Sequence, residues 1–520
     1  SYAINLTLVI ATFSMTFTWM VGDRRYILES YRYGVSKEMP KEILNHPKHG
    51  YRISPKETGV YIGGGKYHYT PKGHMITIAG TRSGKGTNLI VPQLLGATDY
   101  TGSLVVLDPK GENTAITAHH QLSRPGRKVK ILDPFKQLQS LRKLYPDDDR
   151  FAYLDELEEY IVGFNPMDIL NRDSEELPDD AQMLAQMIVP DSPNAGKEQY
   201  FNDRARSMIA GILTHMATKP DKPTLNELWN ILRAESVKPD PEDDNSPIGE
   251  WEYFLLDMVE NDKIFDGIIS KTGHEISSLE MTSEREAASV KSTARKWTDF
   301  LKSPLLRKRL TNEPDNFDPN TLSKGDTTLY IVIPADKLES HNAWLRLVVG
   351  ACMKAVIRQP KEQVQFILDE FYALGYMSMV ETAMGAYAGY NLRVWAIIQS
   401  LTQLRKTYSE SGWENFIGNA SVIHAFGIND NFTADYVSKM TGETSFPSYG
   451  SILGIPTGAT PRNVFTSAQV RSLENEMLLF VDRKSVARLP FKEYWKPKLW
   501  PHKKNWAERS KPNPLSPPKP

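Results

Sequence analysis

The residues with the clearest chemistry form a glycine-bearing loop between an apolar strand-like run and an apolar helix-like run. The first run starts at Met75, and the loop comprises Gly80, Thr81, Arg82, Ser83, Gly84, Lys85, Gly86 and Thr87. A strand, a loop that ends in Gly-Lys and then a helix is the layout of a P-loop. In such a loop, backbone N–H groups wrap a polyphosphate and the lysine reaches the terminal phosphates. We therefore predict that these residues bind ATP and that Lys85 is catalytic.

The loop departs from the P-loop consensus at two positions. The pattern G-x-x-x-x-G-K-[ST] requires a glycine where this chain has Ala79 and a serine or threonine where it has Gly86. The hydroxyl at the second position normally binds Mg²⁺, so its absence raises the question whether the site is functional. Thr87 stands one position later, and we predict that its hydroxyl contributes to Mg²⁺ binding.

Two adjacent carboxylates, Asp369 and Glu370, follow the apolar run Phe366–Leu368. In P-loop proteins, an apolar strand of this kind ends in one carboxylate that holds Mg²⁺ and one that polarises the water attacking the γ-phosphate. On its own the pattern is common, and Glu370 is alternatively a surface charge at a strand end. Its combination with a P-loop favours metal binding by Asp369 and catalysis by Glu370.

Three further polar side chains are candidates for the transfer step. The apolar run Val394–Ile398 ends at Gln399, whose amide is either a γ-phosphate sensor or a plain strand cap. Phosphoryl transfer also needs a cation on the developing charge. Arg405 and Arg82 are the candidates, and each is alternatively a surface charge. An arginine supplied across a subunit boundary is a further option.

Another strand-like run, Ser103–Asp108, ends in a polar cluster that includes Lys110 and Glu112. Ligands of open α/β sheets bind outside the carboxyl ends of the strands. Asp108, Lys110 and Glu112 are therefore predicted to lie beside the bound phosphates, unless Asp108-Pro109 is merely a turn.

The elements that must position these residues alternate between strand-like and helix-like runs, which predicts an α/β fold with a parallel-rich sheet covered on both faces. Between about 180 and 320 the strand-like runs vanish and helical spacing dominates, which predicts an all-α insertion. Thr224-x-x-Glu227 and Ser283-x-x-Glu286 resemble capping boxes there. A basic cluster at 307–309 is either a solvated face or a contact surface for nucleic acid or protein.

The two ends of the chain have distinctive compositions. Residues 1–22 carry no charge, which favours a transmembrane helix over a secretory signal or a buried amphipathic helix. The basic residues that follow would then place the remainder in the cytoplasm. Residues 499–520 are rich in proline and lysine, which predicts a disordered tail. The net charge of −1 directs any nucleic-acid contact to local basic patches, and the single cysteine, Cys352, reads as a buried thiol.

Several separated motifs in one order resemble the type IV secretion coupling proteins, the TraG-like conjugation ATPases. The resemblance covers about 74–490 and rests on GTRSGKGTNLIVPQLL, LVVLDPKGE, FILDEF, AIIQSLTQL and the run Asn419–Gly442. It implies a RecA-like P-loop NTPase domain, an inserted all-α domain and an N-terminal transmembrane helix. The expected division is 1–22 membrane helix, 23–73 membrane-proximal linker, 74–180 and 323–498 nucleotide-binding domain, 181–322 all-α domain and 499–520 tail.

The resemblance also implies roles and partners. Lys85 would bind phosphate, Asp369 magnesium and Glu370 the attacking water, while Gln399 would sense the γ-phosphate. Gly-Lys-Gly is a frequent loop form in that family, so Gly86 becomes a family trait. A hexamer at the bacterial inner membrane would deliver DNA–relaxase complexes or effector proteins, with adaptors, to secretion-channel components. The alternatives are a DNA translocase for chromosome handling and a non-catalytic nucleotide-binding adaptor.

Overall fold

The structure, a computed structural model, describes residues 38–39, 59–191, 196, 198–237, 247–449, 456–482 and 485–516. The predicted membrane helix at 1–22 and most of the predicted linker at 23–73 lie outside these residues. In the part that is described, no helix combines the length and the apolar character that crossing a membrane requires.

A mixed sheet organises the described residues. Its strands are β3 (His74–Ala79), β4 (Ser103–Asp108), β5 (Lys128–Leu132), β6 (Thr327–Val332), β7 (Val364–Leu368), β8 (Leu392–Ile398), β9 (Ala420–Phe426), β12 (Glu476–Val481) and β13 (Ala487–Pro490). Two hairpins stand apart from it, formed by β1 (Val60–Gly63) with β2 (Tyr67–Tyr69) and by β10 (Glu443–Tyr449) with β11 (Pro456–Asn463).

The strand order of the sheet is β13-β12-β9-β3-β8-β7-β4-β6-β5. The strands from β9 to β5 are parallel, whereas β12 runs antiparallel to β9 and β13 antiparallel to β12. The parallel-rich α/β sheet predicted from the sequence is therefore present. Parallel strands that are covered on both faces read as continuous apolar runs, and β4 is buried along its whole length.

The α-helices in the described residues are α1 (Val91–Leu94), α2 (Glu112–Ser123), α3 (Gln137–Arg142), α4 (Tyr153–Glu156), α5 (Leu177–Ile188), α6 (Glu198–Thr218), α7 (Leu225–Leu232), α8 (Glu250–Glu260), α9 (Ile268–Thr282), α10 (Glu284–Trp297), α11 (Pro304–Arg307), α12 (Asn342–Arg358), α13 (Ser378–Ala386), α14 (Leu401–Asn419), α15 (Asn431–Met440), α16 (Ser467–Arg471) and α17 (Trp506–Arg509). Short 3₁₀ turns lie at Asp149–Phe151, Leu157–Tyr160, Pro166–Ile169, Phe265–Gly267, Asp299–Lys302, Pro319–Lys324, Ala335–Lys337, Phe371–Leu374, Tyr387–Tyr390 and Pro497–Leu499.

The core lies on both faces of the sheet. Ile76 and Ile78 of β3 join one apolar cluster, and their neighbours Met75 and Ala79 join the other, because successive side chains of a strand point to opposite faces. The first cluster continues into the helices from α5 to α12. Cys352 on α12 is buried as predicted, and burial raises the pKa of its thiol.

The described residues between α5 and β6 contain helices and turns but no strand. This agrees with the helical spacing and the lack of strand-like runs in this part of the sequence. Thr224 and Glu227 form the predicted capping box at the start of α7. The second predicted box is absent, because the Ser283 side chain makes no cap hydrogen bond and Glu286 instead accepts one from the Tyr200 hydroxyl.

The prediction of a disordered tail at 499–520 is wrong for the part that is described, 499–516. Trp500 and Trp506 are buried and stack with their ring centroids 4.2 Å apart. Tyr153 and Tyr145 donate hydrogen bonds to the carbonyls of Pro512 and Pro514 at 2.6 and 2.8 Å. Two buried indoles bring enough apolar surface to fix a segment whose overall composition is polar and proline-rich.

Candidate functional site

The strand order gathers the predicted site at one edge of the sheet. β9, β3, β8, β7 and β4 are consecutive neighbours, and the four from β3 onwards run parallel. The loop after β3, Gln399 after β8, the Asp369–Glu370 pair after β7 and Asp108 at the end of β4 therefore emerge side by side. This is the edge at which open α/β sheets bind their ligands.

The loop after β3 is shaped by two close approaches. A Cβ added at Gly80 would lie 2.2 Å from the carbonyl oxygen of Gly427, and one added at Gly427 would lie 2.3 Å from Cβ of Ser83. Gly84 has φ +90°, a conformation that residues with a side chain rarely adopt. A π-helical turn, Gly86–Ile90, begins directly after Lys85 and leads into α1, so the loop ends at a helix N-terminus, where anions bind.

Lys85 spans the two carboxylates that follow β7. Its Nζ lies 2.6 Å from Oε1 of Glu370 and 3.0 Å from Oδ1 of Asp369. Burial opposes the charge on this amine, but the two carboxylates outweigh burial and raise the pKa of Lys85. Burial raises the pKa of Asp369, with Glu370 adding to the effect and Lys85 opposing it. Lys85 is thus held as an ammonium at the centre of the predicted site.

Gln399 connects the loop to the second carboxylate. Its Nε2 donates to Oε2 of Glu370 at 2.8 Å, and its Oε1 accepts from the Thr81 hydroxyl at 3.1 Å. Glu370 itself adopts a left-handed backbone with φ 54°. Such strain in a residue other than glycine costs about 1–3 kcal/mol and is concentrated at functional sites. The predicted sensor and the predicted general base are therefore joined in one hydrogen-bonded chain.

Gly86 occupies the position of the consensus hydroxyl, and Thr87 follows it; the two residues have different surroundings. Thr87 lines the cavity, but its hydroxyl donates to the carbonyl of Gly84 at 3.0 Å. A Cβ added at Gly86 would meet no heavy atom of the described residues within 4 Å. Glycine at this position is therefore not imposed by crowding within the chain, and metal binding by Thr87 stays a prediction.

A cavity of about 470 Å³ opens at this edge of the sheet. The residues that line it are Thr81, Arg82, Gly84, Lys85, Gly86, Thr87, Val91, Asp108, Pro109, Lys110, Glu112, Asn113, Ile116, Asp369, Glu370, Tyr494 and Ser516. Its volume lies within the range of 300–1,000 Å³ that small-molecule sites span. The structure thus brings Lys110 and Glu112 into one cavity with the loop, as the strand-end rule predicts.

Asp108 reaches the cavity but its carboxylate has a structural partner. Oδ2 accepts from the backbone N–H and the hydroxyl of Thr114, both at 2.7 Å. Burial raises its pKa to about 6, although the Thr114 hydrogen bonds oppose the shift. The chemistry of Asp108 is therefore mainly that of an anchor for the start of α2.

Arg405 is not among the cavity residues. It lies on α14, where its guanidinium stands 5.4 Å from the ring centroid of Phe432. Arg82, the other candidate cation, does line the cavity and has φ 59°. The catalytic role of Arg405 stays a prediction that this site does not itself support.

Several residues of the site escaped the sequence reasoning, including Gly427, Tyr494 and Ser516. Gly427 forms the close approach to the loop, and its place after the apolar run of β9 is a signal that could have found it. Tyr494 and Ser516 come from the far end of the chain and line the cavity. No local pattern connects them with the loop, since the contact arises from tertiary packing.

Comparison with known proteins shows which protein family this chain matches. The profile of the family "Type IV secretory system Conjugative DNA transfer" matches residues 35–146 and 154–473, which is more than half of the chain. The conjugal transfer protein TraG of Agrobacterium fabrum is 27% identical over 379 residues, covering 72% of this chain and 51% of the relative. VirD4 of Rhizobium radiobacter is 26% identical over 416 residues, covering 78% and 52%. The chain thus spans about half the length of these relatives.

Solved structures support the same fold. The bacterial conjugative coupling protein TrwB in its unbound form superposes with a TM-score of 0.62, covering 85% of this chain and 89% of TrwB at 16% identity. TrwB in complex with ADP and Mg²⁺ gives a TM-score of 0.62, covering 88% and 94% at 16% identity. At this identity, the likeness establishes the fold alone.

Proposed function

Since the chain belongs to the type IV secretory system conjugative DNA transfer family, we propose that it is a membrane-anchored ATPase that delivers substrates to a type IV secretion or conjugation channel. The ion-paired triad of Lys85, Asp369 and Glu370 beside the loop is the observation that carries the ATPase part. The substrates would be DNA–relaxase complexes, effector proteins or both, and the site of action the bacterial inner membrane, with the catalytic domain in the cytoplasm.

The residues present fit ATP and Mg²⁺. Backbone and helix N-terminus face a cavity of suitable volume, and the lysine and two carboxylates meet within it. Among the described residues, no group of three or more His, Cys, Asp or Glu side chains could hold a metal ion. Mg²⁺ commonly binds through one or two carboxylates together with substrate phosphates, and Asp369 is the carboxylate we assign to it. TrwB, the structural neighbour, is described in complexes with ADP and Mg²⁺ and with a non-hydrolysable ATP analogue.

Each residue would then have one task. Lys85 and the loop 80–87 hold the phosphates. Mg²⁺ would supply neutralisation of the charge that develops on the phosphate oxygens. Glu370 accepts the proton of the attacking water, and Gln399, bonded to both Glu370 and Thr81, reports the γ-phosphate to the loop. Arg82, which lines the cavity, is the candidate arginine for the transition state. A neighbouring subunit of a homo-hexamer would be the source of any second arginine.

The test compares three substitutions in the full chain. Glu370→Gln should preserve ATP binding but lower hydrolysis by roughly 10²–10⁴-fold, because it removes the general base and keeps the shape. Lys85→Ala should weaken both binding and hydrolysis. Glu362→Gln is the matched control, because Glu362 is exposed and lies two residues before the opposite end of β7.

The outcomes separate the proposal from its alternatives. Substrate transfer in cells that survives Glu370→Gln would favour a non-catalytic nucleotide-binding adaptor. Hydrolysis by a wild-type protein that never co-purifies with secretion-channel components would favour a DNA translocase. Loss of hydrolysis in the Glu362→Gln control would mean that the effect of Glu370→Gln is not specific to the site.

A further inference from the structure

A buried arginine joins the turn that follows Glu370 to the helical region, defined as 177–307. Arg346 lies on α12 and is only 1% exposed. The described residues give its guanidinium three hydrogen bonds, and all three acceptors are backbone carbonyls. Burial lowers its pKa to about 10, so the side chain still carries its charge at neutral pH. Because an unsatisfied buried charge is costly, the guanidinium ties these carbonyls to one another.

Two of the acceptors belong to the end of α5, the first helix of the helical region. Nε of Arg346 donates to the carbonyl of Met187 at 2.6 Å, and Nη2 donates to that of Ile188 at 3.3 Å. The last carbonyls of a helix have no partner within it and carry the negative end of the helix dipole. A guanidinium suits them, because it brings positive charge and several donors in one plane.

The third acceptor belongs to the turn that follows the two site carboxylates. Nη1 of Arg346 donates to the carbonyl of Leu374 at 2.9 Å. Leu374 ends the 3₁₀ turn that starts directly after Glu370, and the N–H of Ala373 donates to the Glu370 carbonyl at 2.8 Å. Gly375 follows with φ 65°, and a Cβ added there would lie 3.4 Å from Nη1. Arg346 is therefore packed against the end of the turn that begins at the predicted general base.

A small cavity lies beside the arginine, where the same two segments face each other. It has a volume of about 30 Å³ and is lined by the end of α5, by Pro190 and Asp191, by residues 376–379 and by Arg346. Protein interiors generally contain few voids of this size. Close packing therefore does not hold the two segments together at this point, and the hydrogen bonds of Arg346 bridge them instead.

We propose that Arg346 is a positioning residue for hydrolysis, which holds the turn after Glu370 against the end of α5 and so makes the place of the general base depend on the helical region. This role rests on the ATPase function proposed above. Arg346 is not among the residues that line the nucleotide cavity, so it would act only through the turn. Glu370 has a strained backbone with φ 54°, and such a conformation persists only where the surrounding structure enforces it.

Steady-state kinetics of the full chain separates positioning from a merely structural role. Arg346→Met should lower kcat for ATP hydrolysis by roughly tenfold to a hundredfold, because a misplacement of about 1 Å has effects of this size. The KM for ATP should stay within about twofold of the wild type, because the loop 80–87 is unchanged. Arg346→Lys keeps the charge but lacks the planar fork, so its kcat should lie between those of Arg346→Met and the wild type.

Arg393→Met is the matched control for the loss of a buried arginine. Arg393 is fully buried near the start of β8, away from the carboxyl ends of the strands, and donates to the carbonyls of Gly73 and Pro71. Both variants should unfold at lower urea concentration than the wild type, because backbone carbonyls lose their donors. The kcat of Arg393→Met should nevertheless stay within about twofold of the wild type, since its contacts lie far from the reacting groups.

The outcomes distinguish this role from the function on which it rests. An unchanged kcat in Arg346→Met, an equal fall of kcat in Arg393→Met, or a loss expressed mainly in KM would each show that Arg346 does not position the general base. If the wild type did not hydrolyse ATP at all, the proposed ATPase function itself would fail.

A measurement on the wild type covers the case in which Arg346→Met does not fold. Mg²⁺ and a non-hydrolysable ATP analogue should slow hydrogen exchange in peptides from 370–377 and also in peptides from 184–191, because Arg346 ties the two segments together. Slower exchange at 370–377 with unchanged exchange at 184–191 would overturn the proposal.

Discussion

At the scale of single residues, the most informative position is Gly86. The consensus hydroxyl is missing there, yet a Cβ would meet no heavy atom of the described residues within 4 Å. Thr87, which could replace it, bonds the carbonyl of Gly84 instead. As a phosphate-binding loop, it would therefore offer Mg²⁺ one ligand fewer than the consensus supplies.

We predict that Gly86→Ser strengthens Mg²⁺ binding in the complex with nucleotide. The added hydroxyl has room and stands at the position that normally binds Mg²⁺. The Mg²⁺ concentration at half-maximal ATP binding should fall on the order of tenfold, the effect of about 1.4 kcal/mol. Gly86→Ala is the matched control, since it fills the same space without a ligand. Equal Mg²⁺ requirements in the two variants would contradict the prediction.

The sequence predicts those site residues whose role can be recognised from their neighbours in the chain. Lys85 could be named because it closes the loop after one buried apolar strand, and Asp369 because it directly follows another. Their 3.0 Å contact follows from the parallel order of β3, β8 and β7. Tyr494 could not be named, because its position depends on how a terminal segment packs. Arg405 was named from chain proximity to Gln399, but it lies against Phe432 outside the cavity lining.

At the scale of elements, the two Ser/Thr-x-x-Glu sequences show where pattern reasoning succeeds and where it stops. Thr224 and Glu227 satisfy each other's backbone N–H groups at the start of α7. At the start of α10, Glu286 is taken by the Tyr200 hydroxyl, a partner 86 positions away that no local pattern reveals. Tertiary contacts thus override an otherwise identical motif.

The pair gives a stability prediction with its own control. Thr224→Ala should lower the free energy of unfolding by about 1 kcal/mol, because one helix N–H loses its partner. Ser283→Ala should cost markedly less, since Ser283 and Glu286 form no capping box. Urea midpoints of the two variants at one pH provide the measurement. Similar losses of unfolding free energy in both variants would show that the difference in capping does not affect stability.

At the scale of the whole molecule, a sheet covered on both faces buries polar side chains as well as apolar ones. His424 of β9 is fully buried between the Thr77 hydroxyl, 2.9 Å from its Nδ1, and the carbonyl of Ile62, 3.2 Å from its Nε2. Burial lowers its pKa to about 4. The imidazole is therefore neutral in the folded protein at pH values where it is charged in the unfolded chain.

This difference predicts acid sensitivity. Between pH 6.5 and about 4 the unfolded chain takes up a proton at His424 that the folded protein does not, so stability falls as the pH falls. The loss from this residue is roughly 3 kcal/mol across that window. His424→Gln should lose that much less stability than the wild type when urea unfolding is followed from pH 7 to pH 4. Parallel pH profiles would show that His424 is not responsible.

The strand order has a consequence for how the protein is made. β3 ends at residue 79, but its two neighbours are β8 and β9, which span 392–426 and so follow about 310 to 350 residues later. At a synthesis rate of about 5–20 residues per second, both edges of this apolar strand remain without their partner strands for roughly 15 to 70 s. The loop after β3 thus leaves the ribosome well before the two strands that flank β3. We therefore expect the nascent chain to need protection of this apolar strand until its partner strands are made.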